Sequence, residues 1–96
     1  MRKKNMLEKQ VEKYLNKRVK ENNGLSFKWI SSVTGVPDRI IFLNNQVHFV
    51  ELKTETGVLS PRQILVFDEI GEQGFSVHVL RSYEDIEEFI KYATKN

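Results

Sequence analysis

Apolar and charged residues alternate with helical spacing through the first quarter of the chain. Leu7, Val11, Tyr14, Leu15 and Arg18 follow one stripe while the remaining faces are charged, and Asn22-Asn23-Gly24 supplies a stop, so the pattern predicts a helix over 5–22. At Leu25 the period drops to two. Leu25, Phe27 and Trp29 alternate with polar neighbours, which predicts a strand over Leu25–Ile30 with Lys28 on the opposite side from those three. Two apolar runs, Ile40–Leu43 and Val47–Leu52, then flank Asn44-Asn45. Asparagine tolerates positive φ, so a two-residue turn there makes the stretch a β-hairpin. Ser60-Pro61-Arg62-Gln63 opens a helix over 61–72, with Ser60 as N-cap, Pro61 at N1 and Gln63 completing a capping box. Ile64, Leu65, Phe67 and Ile70 are its expected buried residues, and Gly74 its stop. Phe75–Leu80 predicts a fourth strand, parallel to the second arm of the hairpin because a helix separates them. Ser82 caps a last helix over about 83–94, with Tyr83, Ile86, Phe89, Ile90 and Ala93 as its stripe. The predicted order is αβββαβα, an α/β fold with a central mixed four-stranded sheet. Both faces of the hairpin are apolar, so helices are expected on both sides of the sheet.

The turn sets a register, and the register carries chemistry. With Asn44-Asn45 as the loop, paired positions sum to 89, so Leu43 faces Gln46, Ile41 faces His48 and Asp38 faces Glu51. Facing residues have Cβ atoms about 4.5–5.5 Å apart. Lys53 lies two positions beyond Glu51 and shares its side, along with Ile40, Phe42, Val47 and Phe49. Ile41, Leu43, His48, Val50 and Leu52 take the other side. Two acids and a lysine therefore converge at the open end of the hairpin. Two adjacent carboxylates repel, so folding either raises one pKa or recruits a cation. Mg²⁺ suits such a place, because it is held by one or two carboxylates, waters and substrate phosphate oxygens. A lysine beside it can orient an attacking hydroxide, which outlines a phosphodiester-hydrolysing site.

Pro37-Asp38 followed by Glu51-Leu52-Lys53 resembles the PD-(D/E)xK nuclease signature. The longer strings Gly35-Val-Pro-Asp-Arg-Ile40, Phe49-Val-Glu-Leu-Lys53 and Gly57-Val-Leu-Ser-Pro-Arg-Gln63 resemble the VRR-NUC (virus-type replication-repair nuclease) branch, over nearly the whole chain from Glu8 to about Ser82. The resemblance implies a restriction-endonuclease-like core in a single domain, 1–96. It implies Asp38, Glu51 and the main-chain carbonyl of Leu52 as ligands of Mg²⁺ or Mn²⁺, with Lys53 positioning or deprotonating the attacking water. It also implies an acid on the first helix that reaches the metal: Glu8, with Glu12 as the competing assignment. Gln63 has two readings, a plain helix cap and a residue that orients the site.

Composition adds exclusions. The chain has 96 residues, no cysteine and no apolar run near the ~18–20 residues of a membrane span, so thiolate zinc sites and disulfides are ruled out. The charged N-terminus offers no signal-peptide core, which suits a cytoplasmic setting. Net charge is only +2, yet residues 1–23 carry eight Lys/Arg against three Glu, whereas residues 24–96 carry seven against ten Asp/Glu. A basic N-terminal segment on a mildly acidic body suits phosphate contact, or is simply a solvated helix. Lys28, Gly35, Arg39 and Arg62 are the candidate nucleic-acid contacts, Gly35 by close backbone approach. His48 and His78 read as packed rings, not ligands, and Trp29 as core. Arg81 either touches phosphate or pairs with an acid, and Glu55 is either a further acid near the metal or, the favoured reading, faces solvent.

The expected activity is metal-dependent endonucleolytic cleavage of DNA, branched or duplex. Compact VRR-NUC domains resemble phage-encoded structure-specific nucleases, which makes a four-way (Holliday) junction the expected substrate. Two symmetric cuts with one site per chain imply a homodimer. The rival expectation is a non-catalytic or accessory DNA-binding module on the same fold.

Overall fold

A computed structural model of the chain describes residues 2–95, with side chains from Glu8 onward. Asn44 and Asn45 adopt φ of 56° and 62°, the left-handed conformation that a two-residue hairpin turn demands at both central positions. The predicted register follows: Leu43 pairs with Gln46, Ile41 with His48 and Arg39 with Val50. The elements are α1 (Arg2–Glu21), β1 (Leu25–Lys28), β2 (Arg39–Leu43), β3 (Gln46–Leu52), α2 (Pro61–Glu72), β4 (Val77–Leu80) and α3 (Tyr83–Ala93). The sheet order is β1-β2-β3-β4, antiparallel at the first two pairings and parallel between β3 and β4. The predicted order αβββαβα is thus the observed one.

One face of the sheet is sealed. Ile41, Leu43, Val50, Leu52 and Leu80 meet Val11, Leu15 and Val19 of α1 and Ile86, Phe89, Ile90 and Ala93 of α3 in a single apolar cluster. Each fully buried aliphatic side chain there contributes roughly 1.5–3 kcal/mol. Val19, one turn beyond Leu15, extends the apolar stripe, and Leu7, the first of the predicted residues, lies outside the described side chains. Tyr14 and Arg18 flank the stripe and clasp α3. The Tyr14 hydroxyl donates to Glu87 Oε2 at 2.6 Å, and Arg18 donates to the two Glu87 oxygens at 2.7 and 3.0 Å. The Arg18 and Tyr14 hydrogen bonds hold the Glu87 carboxyl down at about 2, well below the usual carboxylate range. His48 and His78 also belong to this side, with ring centroids 5.8 Å apart and both rings edge-on to Phe89. Burial lowers the pKa of each, so they are packed neutral rings.

The other face departs from expectation. α2 contacts the sheet at β4 and leaves β1 and β2 open, so Leu25, Phe27, Phe42 and Val47 remain 38–56% exposed. Within α2 the buried residue is Val66, while Ile64 and Leu65, expected inside, are about half exposed. Ile64 to Phe67 is an unbroken apolar run, and such a run does not say which side of the helix meets the sheet. The tie of α2 at its first turn, described below, decides that instead.

Candidate active site

Asp38 and Glu51 each lie one residue past the Arg39–Val50 pair, the last of the β2–β3 register. The Leu52 N–H donates to Asp38 Oδ2 at 2.9 Å, and the Trp29 N–H donates to the Asp38 carbonyl at 2.8 Å, so the aspartate is fixed from both neighbouring strands. Glu51 is 3% exposed. Its Oε2 accepts from the Gln63 side-chain amide at 2.9 Å and lies 3.5 Å from Lys53 Nζ. Its Oε1 is buried and has no hydrogen-bond partner among the described residues. Burial pushes the Glu51 carboxyl up to about 7, the negative charge of Asp38 pushes in the same direction, and Lys53 and Gln63 offset only part of this.

Gln63 caps the helix and also contacts Glu51. Its side-chain oxygen accepts from the Ser60 N–H at 2.9 Å, its backbone N–H donates to Ser60 Oγ at 3.1 Å, and its amide nitrogen reaches Glu51. The capping box thereby fixes a rotamer that also holds the carboxylate. Arg62 and Gly35 tie the same turn to the loop before Pro37. Arg62 Nε donates to the Thr34 carbonyl at 3.3 Å, and Gly35, at φ 100°, leaves only 2.9 Å between an added Cβ and the Arg62 carbonyl oxygen. The close approach that glycine permits here is to α2.

The helix-borne acids separate. Glu12 pairs with Arg39 at 2.7 Å, and Arg39, 9% exposed, also donates to Ser26 Oγ at 2.8 Å. Arg39, expected at a nucleic-acid surface, is therefore sandwiched between the sheet and α1, because β2 alternation turns it to the sealed face. Glu8 makes no ion pair among the described residues. It lines a cavity of about 180 Å³ with Lys9, Glu12, Lys28, Asp38 and Leu52. Lys28 is exposed at the mouth of that cavity, and Arg62 is exposed on the α2 side.

Arg81 plays a part that sequence reasoning missed. Its guanidinium donates to the carbonyls of Thr54 and Gly57, and its backbone N–H donates to Asp85 Oδ2 at 2.8 Å, so it clamps the loop that leaves Lys53. The Lys53 N–H is held by the Leu80 carbonyl at 3.1 Å. A basic residue at a strand end was the sole sequence signal, and it does not distinguish carbonyl from phosphate partners.

Among the described residues no three His, Cys, Asp or Glu side chains gather closely enough to hold a metal by themselves. Two carboxylates with a main-chain carbonyl and water suffice for Mg²⁺. The buried, unpartnered Glu51 oxygen beside a second carboxylate fits such a cation, because either a proton or a metal must balance it. The family model for the VRR-NUC domain matches residues 3–84. The chain belongs to the VRR-NUC family. A solved VRR_NUC domain superposes with a TM-score of 0.82 at 27% identity, over 88% of this chain and 95% of that one. Among curated proteins no sequence matches. The VRR-NUC assignment carries with it the PD-(D/E)xK-like fold and a nuclease-type role in DNA processing, in a family whose nucleases are typically dependent on divalent metal. No helix among the described residues is long and apolar enough to cross a membrane.

Proposed function

We propose that this VRR-NUC domain is a metal-dependent, structure-specific DNA endonuclease. The observation that carries the proposal is the buried Glu51 oxygen without a partner among the described residues, within reach of the charge of Asp38, which itself lines the cavity of Glu8. Asp38, Glu51 and the Leu52 carbonyl would hold Mg²⁺ or Mn²⁺, with Glu8 binding directly or through water. When bound, the metal supplies positive charge against the phosphate and lowers the pKa of a water. The protein supplies the rest. Gln63 holds Glu51 through Oε2 and leaves Oε1 for the cation. Lys53, 3.5 Å from Glu51, orients the attacking water and offsets charge on the phosphate as the bond breaks. Arg81 and Leu80 hold the backbone around Lys53 so that its ammonium keeps that position. Lys28 stands where it can meet a neighbouring phosphate.

The substrate in this reading is branched DNA, first of all a four-way junction cut by a homodimer. The open apolar sheet face supports the dimer: Leu25, Phe27, Phe42 and Val47 form a patch of the kind monomers seldom leave in water. A cleavage panel over duplex, flap, fork and four-way DNA in Mg²⁺, Mn²⁺ and EDTA tests the whole reading. Asp38→Ala, Glu51→Ala and Lys53→Ala are each expected to lower cleavage by about 10²–10³ or more with the fold intact. Undiminished activity in excess EDTA would remove the metal role, and equal cutting of linear duplex would remove the junction preference. Tight DNA binding without nicking in either metal would favour the accessory-module reading.

A further inference from the structure

Lys9, Lys13, Lys17 and Lys20 succeed one another along α1 at steps of four, four and three residues, and all are exposed. Residues at those steps lie one helical turn apart on the same side, about 5–6 Å from one to the next. Eleven residues of rise make a ridge of roughly 16 Å. Like charges so placed repel and weaken the helix unless something neutralises them. The nearby acids do not. Glu12 is taken by Arg39 and Glu21 by Arg18, and none of the four lysines makes an ion pair among the described residues. The ridge also has a direction. Lys9 lines the cavity of Glu8, Asp38 and Lys28, so the row begins at the candidate active site and leads away from it. Acids exposed on α2 and α3, such as Asp68, Glu69, Glu72, Glu84 and Glu88, give that part of the molecule the opposite sign.

We infer that this lysine ridge is a track for the phosphate backbone of a duplex arm flanking the cleavage position. Phosphates of one strand advance 3.4 Å along the duplex axis, so a ridge of roughly 16 Å spans about five steps, enough to occupy every lysine on it. The inference rests on the nuclease reading for the identity of the polyanion, but its test is separate from catalysis.

The test is binding of a four-way junction and a linear duplex in EDTA, with Kd measured against salt concentration. Each phosphate neutralised contributes about 0.9 to the slope of log K on log salt. The variant Lys13→Gln/Lys17→Gln/Lys20→Gln, which leaves Lys9 at the cavity, is expected to lower the slope by about two to three and to weaken binding at least tenfold near 0.1 M salt. Lys91→Gln, an exposed lysine of α3, is the control expected to change neither. Circular dichroism of the triple variant should show the helix retained or strengthened. An unchanged slope overturns the track while leaving the nuclease reading intact, and so does equal weakening by Lys91→Gln. Loss of binding to vesicles of anionic lipid, with DNA binding untouched, would assign the ridge to a membrane surface instead. Absence of cleavage by the wild-type chain in Mg²⁺ and Mn²⁺, alongside the expected slope change, would sink the nuclease reading and keep the track.

Discussion

The two faces of the sheet are built from alternate residues of the same strands, yet they do different work. On the sealed face Ile41, Val50 and Leu52 sit among helix side chains and exclude water. On the other, Phe42 and Val47 are 41% and 38% exposed, and the acids occupy the far end. Stability therefore comes from one face, which frees the other to carry contact surface. The aromatic residues of the open face still touch one another: Phe27 packs on Phe42 at 6.1 Å and Trp29 on Phe49 at 5.5 Å between ring centroids. They form a patch that a partner can cover.

Adjacent positions on β2 give the sharpest test of this contrast. Ile41→Ala removes a fully buried side chain and should cost about 2–5 kcal/mol in denaturant unfolding. Phe42→Ala, one residue on, should cost under about 1 kcal/mol in the monomer while weakening self-association in sedimentation. Comparable losses of monomer stability at both positions would mean that the open face is as structural as the closed one.

Glu51 lies near the end of β3, and its proton gives the next effect. Its carboxyl is raised to about 7 in the fold, above the ordinary 4.5, so the folded chain binds more protons than the unfolded chain between those values. Metal-free protein should accordingly lose on the order of 3 kcal/mol from this group as pH rises from about 4.5 to about 7, and lose no more from it beyond. Glu51→Gln should flatten that part of the profile. Mg²⁺ added at pH 8 should raise the Tm of wild type and leave the variant unmoved. A wild-type profile identical to that of Glu51→Gln would show that the buried oxygen is balanced by something other than a proton or cation.

The smallest effect belongs to the Tyr14–Arg18–Glu87 clasp at the rim of the sealed face. Glu87 is depressed to about 2, so its stabilisation is present above about 4.5 and fades as pH falls towards 2. Glu87→Gln should lower Tm slightly at pH 7, with the difference from wild type closing in acid. A difference that persists at pH 2 would mean that packing, not the ion pair, joins α1 to α3 there.

Much of the molecule was legible before any coordinates. Element order, the Asn44-Asn45 turn and the hairpin register up to the Arg39–Val50 pair all depend on rules that act over a few residues: period, turn chemistry and capping. The exposure of Ile64 and Leu65 was not legible, because four successive apolar residues satisfy several helix orientations equally well. Nor was the fate of Arg39. Its alternation placed it opposite Asp38, but only the packing of α1 brought Glu12 to it.

The amino-acid pattern by itself determined which groups meet across the hairpin, since a two-residue turn leaves one register open to the strands it joins. Tertiary structure alone decided how those groups behave. The burial that raises Glu51, the pairing of Glu12 with Arg39 and the face left open to partners all depend on elements distant in sequence. Desolvation and charge pairing are set by what packs nearby in space, which no local pattern encodes.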